Sequence, residues 1–462
     1  MSSIEIFQGN QIGGCVTLIS TEVDGVTHRI MIDYGLSLPG SDTTEDFEYP
    51  WEDKPVDAVF FTHYHGDHVG RLMDIPKDVP LYMGETARQV IANIQAALAK
   101  VMKKDRERHE QELEILQDNN RIHTFHYNGQ YYDHIVSIPG FKIEPYSVDH
   151  SAYDAYMFLV EADDPDYENG KKVIIHTGDF RGHGRRGKAM LPVIQYYVHK
   201  NGRKVNTLII EGTMMSRMDE EIKTETQMMY EAADYLRDHK YAFLVCSSTN
   251  FDSLASFYQA AQMAASPYRR YLYTYNDYFR IQLQTFSNTA GGFSDVYQFD
   301  RVYKLKLNVK LKSKNWKRSM TQKELMERTG FLAIIKPEDG FEKYLDPFIE
   351  DFKAEKIDQM PVIIYSMWDG YVQEYKKDKN GNAIDNKAKN QAWIDFLKKQ
   401  EDKGLEIKHL HTSGHASPQM IADVIKAVAP TDEIYPMHTE HPEMFEKLDI
   451  GEYRLLFTYT KC

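Results

Sequence analysis

The stretch FTHYHGDHVG, residues 61–70, decides the reading of this chain. An apolar run, VDAVFFT, leads into four metal-capable side chains: His63, His65, Asp67 and His68. The run has the β-branched and aromatic content of a strand, and Gly66 and Gly70 supply the turn after it. His63 and His65 share strand parity and can face one ion. Asp67 and His68, swung round by the turn, can serve a second. Imidazole together with carboxylate suits zinc or another borderline divalent ion. The plainer alternative is a surface patch of histidines.

A two-metal site needs further ligands, and other strand ends are the places to look. His150 closes KIEPYSVDH, Asp179 follows the strand-like KVIIHTG, and His438 ends DEIYPMH. Alone, each has an ordinary reading as a satisfied strand-end histidine or a turn aspartate. Together they fill two sites: His63, His65 and His150 on one ion, Asp67, His68 and His438 on the other, and Asp179 shared.

Outside these motifs the text is that of a globular protein. The chain has 462 residues, which suggests two or three domains. Apolar residues make up 42% and charged residues 27%. Sixty-nine acidic residues against 55 basic ones give a net charge of −14, which argues against a polybasic coat protein. It leaves room for a nucleic-acid enzyme, because a cleft can be locally positive. No apolar run approaches the roughly 18 residues of a membrane helix, and MSSIEIFQGNQIGG does not read as a signal peptide. Cys15, Cys246 and Cys462 are odd in number and widely spaced, so neither a disulfide framework nor a cysteine zinc site is expected. A reducing cytoplasm fits that usage.

Short strands fill the first two hundred residues, interrupted by a polar helical stretch over about 86–117. Its charged distal part, KKDRERHEQELE, reads as a solvated helix projecting from the body. From about Met218 helical segments alternate with apolar strands, the pattern of a parallel α/β sheet. The expected division is 1–215, 216–392 and 393–462, with the outer two parts forming one domain.

The ordered set Asp33 (in MIDYG), His63, His65, Asp67, His68, His150, Asp179 and His438 resembles the metallo-β-lactamase superfamily. That resemblance implies an αββα sandwich with a dinuclear site at one sheet edge. It makes Asp33 a residue that orients the histidine loop. The long α/β insertion, with Glu211 in LIIEGT, His415 in HTSGHAS and His438 in YPMH, is similar to the β-CASP nucleases. Among these, HTSGHAS and PMHTE most resemble ribonuclease J. The family pattern has Gly where Thr439 stands and a different text around Glu211. No counterpart of the C-terminal domain of ribonuclease J is expected. A histidine at the last motif implies RNA rather than DNA as substrate.

The activity implied is hydrolysis of single-stranded RNA by a 5′→3′ exonuclease, with endonuclease action besides. Two divalent ions, Zn²⁺ or else Mn²⁺, would supply a hydroxide to attack phosphorus. Asp67 and Asp179 hold the ions, Glu211 belongs to the catalytic set, and His415 is the candidate proton donor to the leaving oxygen. His415 can equally be a packed helix-entry histidine. Ser413, Gly414 and Ser417 can cradle a phosphate at a helix start, though any capped helix has such residues. Arg181, Arg185 and Arg186 in FRGHGRRGK are candidate phosphate contacts. Lys304, Lys306, Lys310 and Lys312 alternate with apolar residues as on one cationic strand face, which serves RNA or protects a sheet edge. Two other functions compete: hydrolysis of a small ester, thioester, lactone or nucleotide on the same metal cradle, and a non-catalytic RNA scaffold. No membrane partner is expected, and a homo-oligomer is compatible with the sequence.

Overall fold

A computed structural model describes all residues except 38–46, 126–134, 266–269, 291–293, 313–318, 373–374, 378–382, 386–389 and 461–462. Cys462, the end of the basic stretch and most of the turn-rich text before Asn390 therefore lie outside the described residues. The chain forms two compact units, residues 1–222 with 414–462 and residues 223–413.

The first unit contains two six-stranded sheets. One runs, in spatial order, Ser3–Phe7, Val16–Val23, Val26–Ile32, Ala58–Phe60, Leu81–Gly84 and Ile122–Phe125. Its first three strands pair antiparallel and the rest parallel. The other runs Glu433–Met437, Thr207–Glu211, Lys171–His176, Ala155–Asp163, Phe141–Val148 and Val136–Ile138.

Period-two alternation sends Ile19, Ile30 and Phe60 of the first sheet against Phe158, Val160, Ile174 and Ile209 of the second. The intervening Met157, Leu159, Ile175, Leu208 and Ile210 face a second core beside Val193, Ile194 and the helix Pro418–Val428. Strands covered on both faces read as unbroken apolar runs, which is why LIIE and VIIH show no alternation. Ser417 caps that helix by accepting the Met420 N–H, with Pro418 in its first turn. Ile421, Val424, Ile425 and Val428 form its buried stripe.

The polar stretch after Gly84 is not one projecting helix. It forms two helices, Glu85–Val101 and Arg106–Gln117, folded against each other and against strands of the first sheet. Gln95 Nε2 donates to Glu112 Oε1 at 2.7 Å, and His109 Nδ1 lies 2.7 Å from Gln95 Oε1. The charge run masked this contact, because only Glu112 and Leu116 of the second helix are buried.

Burial pushes the Glu112 carboxyl up to about 7, against the weaker opposing pull of Arg108 and Gln95. A carboxyl raised in the folded state gives its full stability below its unfolded pKa and loses it as pH rises towards the folded value. At about 1.4 kcal/mol per unit, the loss above neutrality is on the order of 3 kcal/mol. Glu112→Gln is therefore expected to raise thermal stability at pH 8 and to leave it nearly unchanged at pH 4.5, as read by circular-dichroism melts at both values.

The second unit is built on a parallel sheet in the order Val302–Lys304, Tyr271–Thr274, Phe331–Ile335, Tyr241–Cys246, Val362–Ser366, Ile407–His409. Ile407–His409 pairs with Val362–Ser366, so this unit's sheet extends past the expected boundary at 392/393.

The lysines between 304 and 312 do not share one strand. Val302–Lys304 ends at the sheet edge, the chain turns at Lys306–Val309, and Lys310–Leu311 pairs with Met320–Thr321. Buried Gln322 takes the place of a neighbouring strand: its Oε1 accepts the Lys306 N–H and its Nε2 donates to the Lys304 carbonyl. Lys304 Nζ is paired with Asp277 at 2.5 Å. Among the described residues no helix is long and apolar enough to cross a membrane.

Candidate metal centre

The first unit gathers chemistry at the C-terminal ends of its strands. Asp33 directly follows Val26–Ile32, and His63 comes three residues after Ala58–Phe60. His150, Asp179 and His438 stand just beyond Phe141–Val148, Lys171–His176 and Glu433–Met437, while Glu211 is the last residue of Thr207–Glu211. Asp67 and His68 sit in the single helical turn Gly66–Val69. All the expected ligands except His65 are buried, and His65 is partly so.

Three ring nitrogens converge first. His63 Nε2 lies 3.1 Å from His65 Nδ1, and His150 Nε2 lies 3.2 Å from the same atom. One proton on His65 Nδ1 cannot satisfy two neighbours. Tetrahedral ligands about 2.0–2.1 Å from zinc stand about 3.3 Å apart, so this spacing fits an ion. His150 Nδ1 and Asp179 Oδ1 are buried with no hydrogen-bond partner, as groups awaiting a further charge or donor would be.

A second group adjoins the first. Asp179 Oδ2 is 3.1 Å from His68 Nε2 and 4.0 Å from His63 Nε2, so one carboxylate reaches both groups. His438 Nε2 is 3.2 Å from Asp67 Oδ2, and His68 Nε2 is 3.9 Å from it. Donor atoms of Asp179, Glu211, His415 and His438 also fall within 4.8 Å of one another.

The electrostatics divide the two groups. Burial, reinforced by neighbouring imidazoles, holds His63 and His150 well below the ordinary imidazole range. Burial takes His65 to about 4. These three offer free lone pairs near neutrality. At His68 burial acts in the same direction, but Cys15, Asp179, Asp33 and Asp67 outweigh it; at His438 Asp179, Cys15 and Asp67 do so. Both pKa values stand well above the ordinary one. Burial opposes ionisation of Asp67 and Asp179, yet His68 and His438 keep both well below the usual carboxylate range. Protonated imidazoles thus balance the carboxylates where a divalent cation can displace the protons.

Supporting contacts fix these side chains. Asp33 Oδ2 meets His68 Nδ1 at 2.8 Å, while its Oδ1 accepts the Thr62 N–H at 2.7 Å. Asp33 and His438 both adopt positive φ, 60° and 52°, a conformation costing non-glycine residues of order 1–3 kcal/mol. Thr62 Oγ1 donates to Asp33 Oδ2 at 2.8 Å, and Thr213 Oγ1 stands 2.7 Å from His438 Nδ1. Neither threonine was singled out in the sequence, although both adjoin the motifs.

Glu211 is fully buried. Its Oε1 accepts the N–H groups of Ala416 (3.1 Å) and Phe180 (3.4 Å), and its Oε2 accepts that of Thr213 (3.0 Å). It ties three loops of the site together. His415 Nδ1 lies 3.4 Å from Glu211 Oε1 and 3.6 Å from Asp179 Oδ2. Its ring stacks on that of His438 at 5.6 Å, and its side chain keeps 22% exposure.

The candidate phosphate contacts disperse. Ser417 is occupied as a helix cap, and Gly414 is closely approached by the Ser151 side chain. Ser413, like the four lysines, belongs to the second unit. Arg181 is fully buried, with its N–H on the Asp149 carbonyl at 2.6 Å and its Nε 3.7 Å from Asp149 Oδ1. A buried aspartate needs that countercharge, so Arg181 works inside the protein. Arg186 lies 3.9 Å from the same carboxylate and over the Tyr153 ring at 4.2 Å, and Arg185 is half-buried.

Residues 20–83, which contain the histidine loop, match the model of the metallo-beta-lactamase superfamily. The chain carries a metallo-β-lactamase superfamily domain. The paired sheets and the strand-end His/Asp clusters agree with that fold and with a metal-dependent hydrolase holding divalent ions. Over 99% of its length the chain is also similar to 98% of a crystal structure of a protein of unknown function from Enterococcus faecalis V583, with a TM-score of 0.65. The two sequences are 18% identical, so this likeness is one of fold. No curated protein matches the sequence.

Proposed function

We propose that this protein is a metal-dependent ribonuclease that hydrolyses phosphodiester bonds of single-stranded RNA, as a 5′→3′ exonuclease with endonuclease action besides. The observation that carries the reading is His415. It is a partly exposed imidazole held 3.6 Å from Asp179 Oδ2, beside two donor groups that share Asp179. Its texts HTSGHAS and PMHTE support the nuclease comparison.

His63, His65 and His150 would hold one ion, and Asp67, His68 and His438 the other, with Asp179 between them. When bound, zinc or manganese supplies hydroxide at neutral pH and charge for the non-bridging phosphate oxygens. His415 gives a proton to the departing 3′ oxygen, which otherwise leaves as a strongly basic alkoxide. Glu211 fixes the backbone on either side of that step through the Ala416 and Thr213 N–H groups. Arg185 and Arg186, both partly exposed, are the candidate phosphate contacts of this loop.

One gel tests the proposal. The protein is given 5′-monophosphate RNA, 5′-triphosphate RNA and single-stranded DNA with Zn²⁺, Mn²⁺ or Mg²⁺, beside Asp67→Ala. Monophosphorylated RNA is expected to shorten from its 5′ end while DNA survives and Asp67→Ala is inert. Binding should also weaken steeply with salt. Intact RNA under every metal, combined with salt-insensitive turnover of a small ester or lactone, would move the protein to the other substrate class.

A further inference from the structure

We propose that Cys15 is a ligand of the second cation, its thiolate sulfur joining His68, His438 and Asp67. The inference rests on the reading that this site holds divalent metal. Cys15 Sγ lies 3.8 Å from His68 Nε2, and donor atoms of Cys15, His68 and His438 fall within 4.8 Å of one another. A zinc ion about 2.3 Å from sulfur and about 2.0–2.1 Å from nitrogen, at the tetrahedral angle, separates S from N by about 3.6 Å. Against His68 the sulfur, at 3.8 Å, already stands close to that separation.

A second observation points to the same space. His68 Nε2 is faced by Asp179 Oδ2 at 3.1 Å as well as by the sulfur, and the other oxygen of that buried carboxylate has no hydrogen-bond partner. The backbone holds Cys15 in register with the ligand loop. Its N–H donates to the Asp67 carbonyl at 3.0 Å, and its own carbonyl accepts the Gly35 N–H at 3.2 Å. Position 35 must be glycine for this, since a Cβ there would come within 1.6 Å of the Asp67 carbonyl oxygen. Nothing in the sequence marks Cys15, which stands far from every other ligand.

Coordination forms an S–metal bond and releases the thiol proton to solvent, so the site's positive charge falls by one unit. A soft sulfur ligand favours zinc and cadmium over manganese at that position.

The test exchanges the metals of the full chain for Co²⁺. It reads sulfur-to-cobalt charge-transfer absorption in the near ultraviolet, with bound cobalt counted by atomic emission. Wild type and Cys246→Ser are expected to show the band, and Cys15→Ser and Cys15→Ala to lack it. The preference of the second site for cadmium over manganese should drop at least about tenfold in both Cys15 variants. Two bound cobalt ions without the band in wild type, or a band that persists in Cys15→Ser, would overturn the assignment and leave the metal centre standing. A wild-type protein that takes up no cobalt would overturn the metal reading itself, and this inference with it.

Discussion

Asp179→Asn is expected to lower hydrolysis on the order of 10³-fold or more and to leave the dialysed protein short of metal. Its Oδ2 lies 3.1 Å from His68 Nε2 and 4.0 Å from His63 Nε2, reaching towards both donor groups. Asparagine keeps the volume, so the loss is one of charge and donor strength. The same carboxylate helps to hold His68 and His438 protonated in the metal-free protein. Cation uptake by wild type must therefore displace at least these two imidazole protons, and affinity should fall as pH drops below those raised imidazole values, by about 100-fold per pH unit or more. In Asp179→Asn the imidazoles lose part of that support, so proton release on adding metal should shrink along with the affinity. Metal content after dialysis and proton release in weak buffer are the two readouts. An Asn variant that keeps two ions and hydrolyses like wild type would remove Asp179 from the centre.

The parts of this architecture that the sequence showed are those where one residue's environment follows from its own neighbours. The strand into Thr62 was legible because AVFF, residues 58–61, is an unbroken apolar run, as a strand covered on both faces must be. The residues brought together at the sheet ends were legible because each ends or closely follows a strand-like stretch, Asp67 and His68 by way of the turn at Gly66. What failed to show depends on partners remote in sequence. Residues 106–117 read as solvated because their charges outnumber the buried Glu112 and Leu116, and the fold-back rests on Gln95 and Arg88 of the preceding helix, which donate to Glu112 and to the Leu116 carbonyl. The alternating lysines read as one strand because nothing near them announces that Gln322 will occupy the hydrogen-bonding groups of residues 304 and 306. Arg181 reads as a phosphate contact because nothing beside it in the sequence shows that Asp149 is buried against it. Ile407–His409 looked like the start of the returning domain, and its pairing with Val362–Ser366 could not be seen from its own text. Cys15 carried no pattern at all, since a single donor without a spaced companion is indistinguishable from a small core residue.

His415→Ala is expected to reduce turnover by about 10²–10⁴ with both ions retained. The geometry separates this residue from the ligands. It keeps 22% exposure where the ligands of the second group are buried, so it can reach a bound substrate as they cannot. A group that protonates the leaving oxygen matters only when that oxygen is basic. The deficit should thus be large on RNA and shrink towards unity on an aryl phosphodiester, whose phenolate departs unaided. Added imidazole should restore part of the RNA activity by filling the vacated space. If His415 instead held metal, through its place beside Asp179, Glu211 and His438, alanine would cost an ion and slow both substrates alike. Metal stoichiometry and the ratio of the two rates therefore settle the role together, because leaving-group sensitivity arises from proton transfer and not from coordination.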